Sequence, residues 1–171
     1  MSTPGEDMPT VIEEARMRVD AAGVYVLVFN MGFTDRFHWG LFVAEGDTDG
    51  FLHHYTDKSP TGDWEYQVIS PYNVQNSLSL LTALKIGKLD DMRNEFLTVV
   101  HERLKDVKVD GVQSCRKWLL EAIYLLANEG YLGIQPDRNK INFIEYEAKD
   151  AAMRAMQARK PSVEKSRSSA A

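Results

Sequence analysis

Hydrophobic positions along this chain follow two rhythms, with the change between Asn73 and Ser77. Before it, apolar residues alternate or stand in short β-branched and aromatic blocks, which predicts strands; after it they recur every three or four residues, which predicts helices. Val24 to Phe29 is β-branched or aromatic almost throughout, as in a buried strand. Arg36 to Ala44 follows as a second strand, with Phe37, Trp39, Leu41 and Val43 on one face and His38, Gly40 and Phe42 on the other. A polar hairpin loop, Glu45 to Gly50, leads into a third strand, Phe51 to Thr56. A loop with Pro60 and Gly62 then leads into a fourth, Trp64 to Ser70, ended by Pro71 and Asn73.

In the second half, Leu78, Leu81, Leu84 and Leu89 fit a short helix broken at Gly87, and Asp90 is placed to cap a helix carrying Met92, Phe96, Val99, Val100 and Leu104. The most apolar helix is expected from Ser114 to Glu129, with Ser114 as N-cap and Gly130 as the stop. A last helix, rich in Ala and Met, is expected from Asn142 to Lys160. Residues 1–9 read as a disordered leader and 161–171 as a flexible Ser/Lys/Arg tail. Val11 to Ala22 suits either a short helix, the preferred reading, or the lead into a strand. Strands first and helices second is the order of an α+β domain, here spanning 10–160, with an antiparallel sheet of about four strands packed against helices.

Composition narrows the function classes. The 171 residues suit one domain, and a net charge of −5 without a basic, aromatic-laced stripe argues against nucleic acid as partner. No apolar run is long enough to span a membrane and no signal peptide heads the sequence, so a cytoplasmic protein acting on a small-molecule or peptide substrate is expected. The oligomeric state is not written in the pattern. One cysteine rules out an internal disulfide framework and a CxxC metal clip. Glu45, Asp47 and Asp49 lack the rest of an EF-hand loop, and no P-loop, GxGxxG or GxSxG occurs, so neither metal nor cofactor is expected.

The chemistry that remains centres on Cys115. A thiol in the first turn of a helix feels the positive end of the macrodipole, and Arg116 and Lys117 add to it; both favour thiolate. A nucleophilic thiol also needs an imidazole within reach and a third polar group to orient that imidazole. His38 and His54 fall on the same strand face by parity and suit those roles, with His53 as the alternative to His54. Each has a plainer reading. Trp118, Leu119, Ala122 and Ile123 put Cys115 on the buried side of its helix, where a lone cysteine is a small hydrophobe. His38 suits a satisfied core position, His53 and His54 an exposed hairpin, and His101 a solvated helix site.

The segments His38-Trp39-Gly40-Leu41-Phe42-Val43 and Gly50-Phe51-Leu52-His53-His54 resemble the paired histidine strands of the lecithin–retinol acyltransferase-like family, a circularly permuted NlpC-type branch of the papain-like cysteine enzymes. Ser114-Cys115-Arg116-Lys117-Trp118 is similar to that family's nucleophile helix, although Arg116 and Lys117 replace an acidic–histidine pair. The resemblance implies a permuted papain-like fold with Cys115 as nucleophile, His38 as base and His54 as orienting group, in a hydrolase or acyltransferase acting on an ester, thioester or amide. The same motifs also resemble an uncharacterised fungal domain family. The competing expectation is a non-catalytic ligand- or protein-binding domain on the same fold.

Overall fold

A computed structural model of the chain describes residues 17–34 and 36–169. Its centre is a six-stranded sheet in the order β4-β3-β2-β1-β5-β6. The strands are β1 Gly23–Asn30, β2 Phe37–Ala44, β3 Asp49–Thr56, β4 Glu65–Asn73, β5 Leu80–Lys88 and β6 Ser162–Lys165. Three helices lie between β5 and β6: α1 Asn94–Lys105, α2 Cys115–Asn128 and α3 Arg138–Ala158. The α+β class is therefore as expected. The sheet is larger than the four strands predicted and mixed, since β6 pairs parallel to β5 while the other neighbours are antiparallel.

Strand alternation sorts the core into two layers. Val24, Val26 and Val28 of β1 with Phe37, Trp39, Leu41 and Val43 of β2 pack under the helices, against Trp118, Leu119, Ala122, Ile123 and the alanines of α3. Ala151, Ala152 and Ala155 are thus core residues. Tyr25, Leu27 and Phe29, with Phe42, Leu52 and Leu80, form a second cluster on the opposite face. Among the described residues no long helix covers that face; Met17, Val19 and Val74 do. The covering segment is held by a Gln75 side-chain bond to the Met17 carbonyl (2.8 Å) and by the Asp20 N–H donating to Tyr25 Oη (2.7 Å).

Several predicted elements change in this setting. Leu80–Lys88 is a strand, not the short helix its leucine spacing suggests, because it lies inside the sheet with Leu81, Leu84 and Ile86 in one core layer and Leu80 and Ala83 in the other. Each buried leucine or isoleucine there contributes roughly 1.5–3 kcal/mol, more than the propensity differences of about 0.7 kcal/mol between ordinary residues. Gly87 fits here because a Cβ would lie 2.9 Å from the Leu132 carbonyl oxygen. Pro71 does not end β4, which is an edge strand where a missing N–H is tolerated. Asp90 does not cap α1; Arg93 holds the N-cap position without a side-chain cap bond. Helix α3 begins earlier than expected, at Arg138, capped by Asp137, whose side chain accepts from the Asn139 N–H. Within the expected Val11–Ala22 helix, residues 17–22 are not helical; residues 11–16 and the 1–9 leader lie outside the described residues. The expected flexible tail instead contributes β6.

Candidate functional site

β2 and β3 do not pair along their whole length. Their ladder runs only from Ala44–Gly50 to Leu41–His53. Beyond it Phe37 to Gly40 pair with β1 alone, and His54 to Thr56 with β4 alone, so the sheet forks at one end. Gly40 sits at the crotch, where a Cβ would meet Leu52 Cδ1 at 2.7 Å. Two imidazoles bridge the fork on the face away from the helices: His38 Nε2 and His54 Nδ1 are 2.8 Å apart, with the rings nearly perpendicular. Burial, reinforced by the neighbouring His54, pushes His38 down to about 4, and burial lowers His54 also. Both rings are therefore neutral at pH 7. The pairing selects His54 over His53 as the partner of His38.

Cys115 approaches the fork from the helix side. Ser114 caps α2, its hydroxyl accepting from the Lys117 N–H at 3.0 Å, which sets the thiol in the first turn. The thiol lies 3.9 Å from the Phe37 carbonyl oxygen, which accepts from it, on the β2 edge that the fork leaves unpaired. No imidazole is hydrogen-bonded to it among the described residues. Burial raises the thiol above its ordinary range, opposed by the backbone N–H groups of Trp39, Arg116 and Cys115, which favour thiolate. The expected activation by the helix terminus is thus outweighed by desolvation. Arg116 does not add a free charge, because its guanidinium is paired with Glu145 at 2.7 Å.

His38, His54 and Cys115 nonetheless line one open groove of 1010 Å³ that wraps the forked end of the sheet. Its walls carry Arg36, Lys58, Arg116, Lys117 and Lys149 against only Asp57 and Glu145. The lining is therefore net positive in a chain of net charge −5. Gln113 helps to shape it: its carbonyl accepts from Tyr55 Oη at 2.5 Å, and its amide donates to the Val109 carbonyl at 2.9 Å. Tyr55 in turn stacks on Trp64 and Trp118. The contribution of α3, through Glu145 and Lys149, was not visible in the sequence because it depends on how α3 crosses α2.

His53 and His101 depart from their expected surface positions. His53 is 4% exposed and points to the helix side, where its Nδ1 is 2.7 Å from Tyr66 Oη. His101 packs edge-on against both rings. The clue lay in β3, where His53 alternates with His54 and so must face the helices once His54 faces away. No group of three or more His, Cys, Asp or Glu side chains suited to holding a metal exists among the described residues. No described helix is long and apolar enough to cross a membrane.

Comparison with known proteins finds no match among curated proteins or solved structures. A family profile does match, over residues 24–133, a stretch running from β1 through α2 that contains His38, His54 and Cys115 but not α3 or β6. By that match, the chain belongs to DUF6540, a family of unknown function.

Proposed function

We propose that the protein is a ligand-binding domain whose forked-sheet groove takes a small organic anion. The observation that carries this reading is the charge of the lining, five basic side chains against two acidic ones in an acidic chain. A concave site of this volume is at the upper end of the usual size for small-molecule ligands. The imidazole pair lines the same groove, and the lysines supply attraction that does not depend on a fixed geometry. Benzoate and its neutral isostere benzamide separate charge from shape. Titrated into protein with 15N-labelled histidine rings, benzoate is expected to move the His38 and His54 signals saturably, with benzamide at least tenfold weaker there. Reversing Lys117→Glu and Lys149→Glu together is expected to weaken benzoate at least tenfold. Equal response to the two compounds, or none to either, would overturn the reading.

A second reading, thiol acyl chemistry at Cys115, is favoured by the three backbone N–H groups that face its sulfur and by the shared groove with His38. It is also what the resemblance to the lecithin–retinol acyltransferase-like family implies. In it, His38 takes the thiol proton and the sulfur adds to an ester, thioester or amide carbonyl. Collapse expels the alcohol, thiol or amine, which takes up a proton from the imidazolium. The acyl group then passes to water or an amine. His38 would first have to reach the sulfur. Iodoacetamide distinguishes the readings: alkylation at pH 7 faster than that of an unfolded cysteine peptide, abolished in Cys115→Ser, supports the enzyme, and slower alkylation supports the binding domain.

A further inference from the structure

The forked end of the sheet carries an exposed apolar row. The outermost bonded positions there are the Asn30–Phe37 pair of β1 and β2 and the Asn30 N–H, which donates to the Ser79 carbonyl at 2.8 Å. One residue further out, Met31 therefore stands between Arg36 on one side and Leu78 on the other. The Arg36 guanidinium lies over the Phe33 ring, 5.1 Å from its centroid, which extends the row. Leu78 is wholly exposed, and Phe33 and Met31 about half. Met31 and Arg36 are also wall residues of the groove, so the row forms its lip, beside Lys58, Lys117 and Lys149. Large apolar side chains grouped in solvent mark a surface that meets something apolar.

We infer that this lip docks on an anionic lipid bilayer, with Leu78, Met31 and Phe33 entering the headgroup region and the groove's cations meeting the lipid phosphates and carboxylates. A second copy across a two-fold axis would bring the same basic lips together, and like charges in contact repel. A stable protein–protein interface buries about 800 Å² on each side, far more than this short row supplies. A bilayer needs no complementary shape: the apolar tips gain by leaving water, and each cation near the surface strengthens binding roughly fivefold. In a chain of net charge −5, the basic forked end is the part that an anionic surface attracts. Docking in this way does not require the groove to hold a small anion.

The test is co-sedimentation of the full chain with vesicles of phosphatidylcholine, alone or mixed two to one with phosphatidylserine. Partition to the mixed vesicles is expected to be at least tenfold above that to phosphatidylcholine alone. It is expected to be at least tenfold weaker in the double variant Phe33→Ser, Leu78→Ser. Neither of these side chains is buried or lines the groove, and wild-type His38 and His54 ring signals report that the variant is folded. Wild-type protein that stays in the supernatant with mixed vesicles overturns the inference. Equal partition to both vesicles, or an unweakened double variant, does the same. Light scattering without vesicles that shows a dimer, lost in the double variant, assigns the lip to a second copy and also overturns it. Benzoate titration reads the groove separately: benzoate binding without vesicle binding leaves the groove reading standing, and vesicle binding without benzoate binding leaves this one.

Discussion

His38 and His54 share a single hydrogen bond, Nε2 to Nδ1, across strands that no longer pair beside them. In the neutral pair one ring nitrogen donates and the other accepts, and protonating both rings would place two cations in contact. Burial adds to this cost, and His53, enclosed under α1, is held down further, to about 3.

The pH dependence of stability follows with a definite sign. His38 titrates at about 4 when folded and near 6.5 when unfolded, so between these values the unfolded chain binds more protons and stability rises with pH. His53 acts the same way over a wider window, down to about 3. Each histidine is expected to remove about 1 kcal/mol per pH unit as the pH falls below 6.5. Urea midpoints at pH 7.5, 5.5 and 4.5 should therefore decline steadily, and a constant midpoint across that range would show that these rings are not held neutral.

Ligand binding should be linked to the same titration. An anion seated beside His38 favours its protonated form, so benzoate is expected to raise the apparent pKa of that ring and to bind more tightly as the pH falls from 7 toward 5. Ring 15N shifts recorded with and without benzoate measure both effects. An unmoved pKa would place the ligand away from the imidazole pair.

Gly50 sets the closed end of the β2–β3 ladder. An added Cβ would collide with the Val43 carbonyl oxygen and lie 2.8 Å from Phe42 Cζ and 2.9 Å from Ala44 Cα. Two of these atoms are backbone, so no rotamer change relieves them. Gly50→Ala is expected to cost about 2 kcal/mol or more, read as a lower urea midpoint at unchanged slope. A neutral result would mean the hairpin can shift without loss.

Ser114→Ala removes the side-chain acceptor for the Lys117 N–H. A loss of about 1 kcal/mol is expected, and the Cys115 end of α2 should fray. Amide exchange at Arg116, Lys117 and Trp118 reports this directly, and unchanged protection there would show that packing of Trp118 alone fixes the helix start.

Much of this arrangement is legible in the sequence, because it depends on period and parity. Strands β1 to β3 and helix α2, with its Ser114 cap, follow from local pattern, and so does the shared face of His38 and His54. Leu80–Lys88 misleads because a strand buried on both faces has no alternation, and its leucines happen to fall at helical spacing. The fork is illegible for another reason: nothing in residues 37–40 or 54–56 announces that their ladder stops. The same gap hides the fate of Cys115, whose helix position argues for thiolate while the β2 edge it meets supplies desolvation. Lys149 and Glu145 reach the groove only through the crossing of α3, a relation between elements that no single segment encodes.

Strand β6 has a consequence for how the chain behaves when cut. It covers the outer backbone of β5 from Thr82 to Lys85, fastened by Thr82 Oγ1 to Ser162 Oγ at 2.9 Å, Ser166 Oγ to Glu147 at 2.6 Å and the Arg154–Glu164 pair. A chain shortened to end at Lys160 would leave that backbone rim naked, ready to zip onto the same rim of another copy. Such a truncation is expected to self-associate in light scattering while the full chain does not, which makes these four residues the molecule's guard against sticking to itself.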